Sequence, residues 1–344
     1  MRRPKLSGIA VAVSLGGVTA LLAATIPADR LSNFQPLPAV MESAQNPQTQ
    51  AKIKLGRMLY YDPRLSADQK ISCNSCHKLD NYGADETPVS TGFRGQAGAR
   101  NSPTVYNAAG QIAQFWDGRA KNVEEQAKGP VMNPVEMAMS SPERVVATLN
   151  SMPEYVKLFH AAFPAESNPV TFDNSATAIG AFERGLVTPS RWDKFLEGDK
   201  NALTAAEQSG FNKFYESGCA SCHNGTYLGG GQYQRLGLVK AWPETHDAGR
   251  FDVTHNAADR NVFKVPTLRN VAKTGPYYHD GSVPTLTEAI RKMGEYQLGA
   301  KLTDADVASI ETFLNALTGT IPARYIKPPK LPPSTGATPK PIID

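Results

Sequence analysis

Four cysteines occur in the 344 residues, and they fall into one repeated pattern: Cys73-Asn74-Ser75-Cys76-His77 and Cys219-Ala220-Ser221-Cys222-His223. Two thiols at this spacing can add to the two vinyl groups of one haem. The histidine that follows then reaches the iron from the same turn. Rival readings of paired CxxC units fit less well. Zinc ribbons place their pairs roughly 15–20 residues apart, and these pairs lie far beyond that. A thioredoxin-like redox pair expects a βαβ setting, which neither motif has, and a disulfide within CxxC explains neither histidine. The pattern implies two covalently bound haem c groups, with Cys73, Cys76 and His77 holding one and Cys219, Cys222 and His223 the other.

The chain is long enough for a sizeable core and about two domains. Its net charge of +4 owes much to Arg2, Arg3 and Lys5, and no basic stripe suggests nucleic acid as a partner. The basic start followed by a weakly apolar run reads residues 1–28 as an export signal, the alternative being an uncleaved anchor. An export signal together with covalent haem places the mature protein in the periplasm.

Apolar spacing predicts a helix over Gln48 to Tyr60, stopped by Asp62-Pro63. Glycine, proline and asparagine between Asp80 and Gln114 predict loops laid over the first haem. Three further helices are expected: one starting at Pro142, one at Pro153, and one over Asn174 to Val187. Thr204 to Glu207 is a capping box opening a helix that runs into Cys219, and Thr303 caps a last helix that Gly319 ends. The fold class is therefore mainly α, with two cytochrome c-like domains, each around one covalently bound haem. The expected divisions are an N-terminal haem domain over 29–187, a C-terminal one over 188–327, and a Pro-rich extended tail over 328–344. No internal repeat stands out beyond the two haem units.

The residues around both motifs resemble the bacterial di-haem cytochrome c peroxidase family. The resemblance runs through Arg100-Asn101-Ser102-Pro103-Thr104, Phe115-Trp116-Asp117-Gly118-Arg119-Ala120 and Asn133-Pro134-Val135-Glu136-Met137. It continues in Pro266-Thr267-Leu268-Arg269-Asn270, Gly275-Pro276-Tyr277-Tyr278-His279 and Gln297-Leu298-Gly299. A related enzyme that completes a tryptophan-derived quinone cofactor shares this architecture.

The resemblance implies that hydrogen peroxide reacts at the His77 haem. The His223 haem would take electrons from a small donor, a c-type cytochrome or a blue-copper protein. It implies Met293 as the second axial ligand of that haem, where the quinone-forming relative has a tyrosine, and Trp116 as an electron relay between the haems. Glu136 would be the catalytic acid–base, with Gln126 as a nearby hydrogen-bonding amide. A calcium ion between the haems would be held by Asn101 and the carbonyls of Thr274 and Pro276, and a homodimer is also implied. The other readings left open are a di-haem enzyme oxidising a side chain of a partner protein and a non-enzymatic di-haem electron carrier.

One departure stands out. Many family members carry a histidine, before the Arg-Asn segment, that caps the peroxide haem in the oxidised enzyme. Here Phe93 aligns with it, in Ser90-Thr91-Gly92-Phe93-Arg94-Gly95-Gln96, which implies an open site needing no reductive activation. The alternative is that Met132 or Met137 takes that position. Glu124 and Glu125 read as surface charges, His279 as a support near the electron-accepting haem, and His160, His246 and His255 as solvated.

Overall fold

The computed structural model describes residues 25–342 apart from Thr245, so most of the expected export signal lies outside the described residues. Among the described residues, eight helices of seven or more residues carry the fold: α1 (Gln50–Tyr61), α2 (Val123–Met132), α3 (Pro142–Asn150), α4 (Pro153–Ala162), α5 (Phe172–Glu183), α6 (Ala205–Glu216), α7 (Leu286–Lys292) and α8 (Asp304–Ala316). A short antiparallel ribbon pairs β1 (Tyr233–Arg235) with β2 (Val262–Lys264). The mainly helical class is as expected, and the Asp80–Gln114 stretch is loop with short 3₁₀ turns. No helix of the described residues is long and apolar enough to cross a membrane.

Each half is built on a pair of helices that cross at a glycine. Thr49 caps α1, and its apolar side, Leu55, Met58, Leu59 and Tyr60, is buried. Where α1 meets α5, a Cβ on Gly56 would lie 1.8 Å from the Ala178 carbonyl oxygen. In the other half Thr204 and Glu207 form the expected capping box on α6. There a Cβ on Gly210 would lie 2.2 Å from the Ser309 carbonyl oxygen of α8. Backbones this close exclude any side chain at the crossing.

The halves share a second, finer repeat that the expectation of none beyond the haem units overlooked. Pro103-Thr104-Val105-Tyr106-Asn107 and Pro266-Thr267-Leu268-Arg269-Asn270 occupy equivalent places. Thr104 donates to the Tyr82 carbonyl at 2.6 Å, and Thr267 donates to the Tyr227 carbonyl at 2.7 Å. Asn107 and Asn270 both adopt positive φ, and both donate from Nδ2 to the buried hydroxyl of Thr188 at 2.8 Å. Thr188 thus joins the two halves where the chain passes from one to the other.

Two apolar cores result, and they do not follow the linear division at residue 187. The N-terminal core, around Leu55, Leu59, Tyr155, Phe159 and Phe182, also receives Ile326 and Leu331 from near the C-terminus. The tail then runs along that half, with Arg64 donating to the Pro332 carbonyl at 2.8 Å and Ile342 N–H to that of Ala67 at 2.8 Å. The second core, around Trp192, Phe211, Phe214 and Phe313, receives Ile26 and Phe34 from the other end. Phe34 meets Trp192 edge-on at 5.7 Å and Phe211 at 5.4 Å. The two ends of the described chain are therefore exchanged between the halves.

Helix α2 was not anticipated. Gly129 and Pro130 lie within its last turn, where both count against a helix in sequence terms. Its side chains explain why it forms. Arg184 grips both carboxylate oxygens of Glu124 at 2.9 Å, and Asn46 adds a third bond at 2.9 Å. Glu124 is therefore an anchor between α2 and the end of α5, which corrects its reading as a surface charge. Glu125 faces outward to Lys128.

Candidate active site

The first CxxCH forms a single helical turn, Cys73–Cys76, reached from α1 through a 3₁₀ turn over Pro63–Leu65. Ser72 and Ser75 cap each other at its start, and the His77 N–H donates back to the Cys73 carbonyl at 3.0 Å. Tyr60 of α1 holds the His77 carbonyl at 2.9 Å, and Asn74 takes the Leu79 N–H at 3.1 Å. His77 is half-buried, and its Nδ1 is shielded from solvent with no hydrogen-bond partner. Burial lowers its pKa, with the backbone of Gly83 and Pro103 offsetting a part, so the ring is neutral and able to ligate a metal.

The second motif repeats this after α6. Cys219–Ser221 is a 3₁₀ turn, and the His223 N–H donates to the Cys219 carbonyl at 3.0 Å. His223 is likewise half-buried with a shielded, unpartnered Nδ1, and loss of solvent around the ring holds its pKa at about 4. All four cysteines are unpaired. Burial raises the Cys73 thiol and pushes the Cys219 thiol up to about 12. A redox-active CxxC pair needs the opposite, a stabilised thiolate. Unpaired thiols, each pair followed directly by a histidine with a shielded Nδ1, fit covalently attached haem.

A large cavity, lined mainly by apolar side chains, opens over Cys219, Cys222 and His223. Met293 lines it as well, at the point where α7 passes into a π-helical turn, Met293–Gln297. The π turn shifts the register of the helix at the residue expected to face the second haem, a common feature of functional positions. Asn101, Trp116, Thr274 and Pro276 line the same cavity. The Asn101 amide donates from Nδ2 to the carbonyls of Thr87 and Pro88 at 3.1 and 3.2 Å. That leaves its Oδ1 for another partner, and oxygens of this kind suit a hard cation such as calcium.

Trp116 sits between the halves. Its indole N–H donates to the Asn101 carbonyl at 2.9 Å, and its own carbonyl accepts from Lys264 N–H at 2.7 Å. The Arg100–Thr104 segment that holds it continues to Pro103, whose backbone faces His77. Arg100 anchors this segment through Asp247, at 2.6 Å from two guanidinium nitrogens, and Asp117, at 2.5 Å. His279 stacks on Phe263 at 4.3 Å with both ring nitrogens unpartnered, inside the same cavity. His160, His246 and His255 are exposed.

At the first site, Glu136 stands on the turn that follows α2. Asn133 ends that helix and donates from Nδ2 to Glu136 Oε1 at 2.7 Å. Burial raises the Glu136 pKa above the usual carboxylate value, with Asn133 and Arg119 pulling the other way. Its charge in turn raises the Cys76 thiol, after burial and with Asp85. Gln126 lies half-buried on α2. Phe93 is buried, and its N–H donates to the Glu136 carbonyl at 2.8 Å. The loop is pressed onto the Glu136 turn: a Cβ on Gly92 would lie 2.1 Å from the Val135 carbonyl oxygen. Met137 and Met132 pack with the N-terminal core.

Residues the sequence reading passed over also shape these sites, chiefly Arg100, Glu124 and Lys264. Arg100 lies in a loop, Glu124 in the first turn of α2 and Lys264 at the end of β2, and the partners of each lie far along the chain.

Comparison with known proteins agrees with this geometry. A family model described as di-haem cytochrome c peroxidase matches residues 50–201. The chain is 48% identical to a cytochrome c551 peroxidase of Pseudomonas aeruginosa, over 90% of each chain. It is 49% identical to a cytochrome c551 peroxidase of Nitrosomonas europaea, over 89% of this chain and 90% of that one. Among solved structures, a MauG-like protein associated with microbial copper homeostasis superposes with a TM-score of 0.77 at 30% identity, covering 85% of this chain and 97% of that one. Paired CxxCH turns, a shared Pro-Thr-x-x-Asn repeat and near-full-length identity converge on one conclusion: the chain belongs to the di-haem cytochrome c peroxidase family.

Proposed function

We propose that this protein reduces hydrogen peroxide to water in the periplasm with electrons from a small redox protein. The observation that carries the reading is the half-buried Glu136, oriented by Asn133 and joined through its backbone to the Phe93 loop, in a chain about half identical to named cytochrome c peroxidases. When bound, the haems supply one iron at which peroxide reacts and a second that receives electrons.

The chain's own part is to manage protons and hold geometry. Peroxide takes up two electrons and two protons and gives two waters. Asn133 occupies Glu136 Oε1, so Oε2 is the atom that takes the proton from one peroxide oxygen. It returns that proton to the other oxygen as this departs as water. Burial serves this cycle by bringing the carboxyl pKa closer to neutrality. Gln126 adds a hydrogen-bonding amide nearby. The buried Phe93 leaves the peroxide side without a histidine cap, so no prior reduction is needed.

At the second site His223 and Met293, which line one cavity, would hold the haem iron, and thioether ligation would raise its potential. That suits the acceptance of electrons from a small carrier. It also favours peroxide as the substrate over oxidation of a partner's side chain. Trp116 relays electrons between the halves. Asn101 Oδ1 with the Thr274 and Pro276 carbonyls would hold a calcium ion there.

The direct test is peroxide-dependent oxidation of a reduced c-type cytochrome or blue-copper protein by the haem-loaded enzyme. Steady consumption of both supports the reading. Haem-loaded protein that oxidises neither donor in the presence of peroxide contradicts it.

A further inference from the structure

Lys264 ends β2 with its side chain inside the C-terminal cavity, only 8% exposed. Among the described residues no carboxylate forms an ion pair with it; Asp117 and Asp247 hold Arg100 instead. The Lys264 ammonium donates to Gln111 Oε1, a neutral acceptor. Burial alone lowers its pKa, to about 8, and no compensating charge offsets this.

An ammonium held in a cavity without a counter-charge is costly, and proteins rarely keep one unless an anion completes the site. The cavity it faces is the one lined by Cys219, Cys222 and His223. A haem bound there brings two propionate carboxylates with it. The Lys264 backbone is held as well, its N–H bonded to the Trp116 carbonyl at 2.7 Å and the Trp116 indole N–H to the Asn101 carbonyl at 2.9 Å. The lysine is therefore tied to the same framework that positions the indole ring between the two halves.

We propose that Lys264 is the counter-cation of a propionate of the C-terminal haem and helps to set the potential of the electron-accepting iron. This rests on the reading that a haem occupies the His223 cavity. Reduction of ferric to ferrous iron adds one negative charge to the site. A fixed ammonium nearby favours the reduced form, and in a low-dielectric cavity that preference is strong. Lys264 is a positioning and tuning residue; it touches neither peroxide nor the iron.

The experiment is a spectroelectrochemical titration of the haem-loaded full chain, following the higher-potential haem in wild type, Lys264→Gln and Lys264→Arg. Wild type must first show two haems and a distinct high-potential step; its absence would count against the functional reading itself. Given that step, Lys264→Gln is expected to shift the reduction equilibrium about tenfold toward the oxidised form, about 59 mV for a one-electron couple. Lys264→Arg is expected to keep the wild-type midpoint. An unchanged midpoint in Lys264→Gln would overturn the inference. So would an arginine variant that falls as far as the glutamine one, since shape rather than charge would then be responsible. If the glutamine variant fails to load haem, the arginine variant decides: a wild-type midpoint supports the inference, and a lowered one contradicts it.

Discussion

The Phe93 N–H donates to the Glu136 carbonyl oxygen at 2.8 Å, so the 90–96 loop and the residue proposed as acid–base share one backbone link. The side chain at position 93 is buried against this turn, and whatever replaces it acts directly on the peroxide side. A histidine there could reach the iron. Phe93→His is expected to convert oxidised protein to a low-spin ferric spectrum and to slow its reaction with peroxide at least tenfold. The absorption spectrum of the oxidised variant, before and after one-electron reduction, checks this.

Thr188 receives the carboxamides of both Asn107 and Asn270. Thr188→Val keeps the shape but leaves two buried N–H donors unsatisfied, at roughly 1–3 kcal/mol each. A loss of about 3 kcal/mol is expected, read as a lower urea midpoint, and Thr188→Ser should recover most of it.

The α1–α5 crossing admits no side chain at position 56, where a Cβ would meet the Ala178 carbonyl oxygen at 1.8 Å. Helix propensity alone would make Gly56→Ala stabilising by roughly 1 kcal/mol. Overpacking reverses the sign, and a net loss of about 3 kcal/mol is expected by chemical denaturation.

Glu183 at the end of α5 is 4% exposed, and burial pushes its pKa to about 8, helped by Glu124 and opposed by Arg184. The unfolded chain ionises this carboxyl above its usual value, whereas the folded chain keeps the proton to about 8. Wild-type stability therefore falls as pH rises through that window. Glu183→Gln removes this contribution and is expected to be more stable at pH 7, by up to about 3 kcal/mol. Urea midpoints of both proteins at pH 5 and pH 7 check the sign, since the difference should shrink at the lower pH.

Much of this architecture is visible in the chain because its signals are local. The two CxxCH turns, the α1 stop at Asp62-Pro63 and the caps at Thr204 and Thr303 each depend on residues within a few positions of one another. The features that escaped depend on distant partners. Glu124 looks solvated until Arg184 and Asn46 close on it. Lys264 looks like one more strand lysine until the cavity encloses it. The exchange of chain ends, Phe34 into one core and Ile326 into the other, leaves no periodic trace in short extended segments. The Pro-Thr-x-x-Asn repeat was within reach, since both copies lie in motifs that resemble the family, but its meaning depends on Thr188.

The central claim is that Glu136 moves the proton during peroxide reduction at a site already open in the resting protein. Stopped-flow mixing of peroxide with fully oxidised, haem-loaded wild type and Glu136→Gln tests it most directly. The account predicts a prompt spectral change in wild type and one slower by about 10²–10⁴-fold in the variant. No reaction of wild type until it is half-reduced, or equal rates for the two proteins, would contradict it.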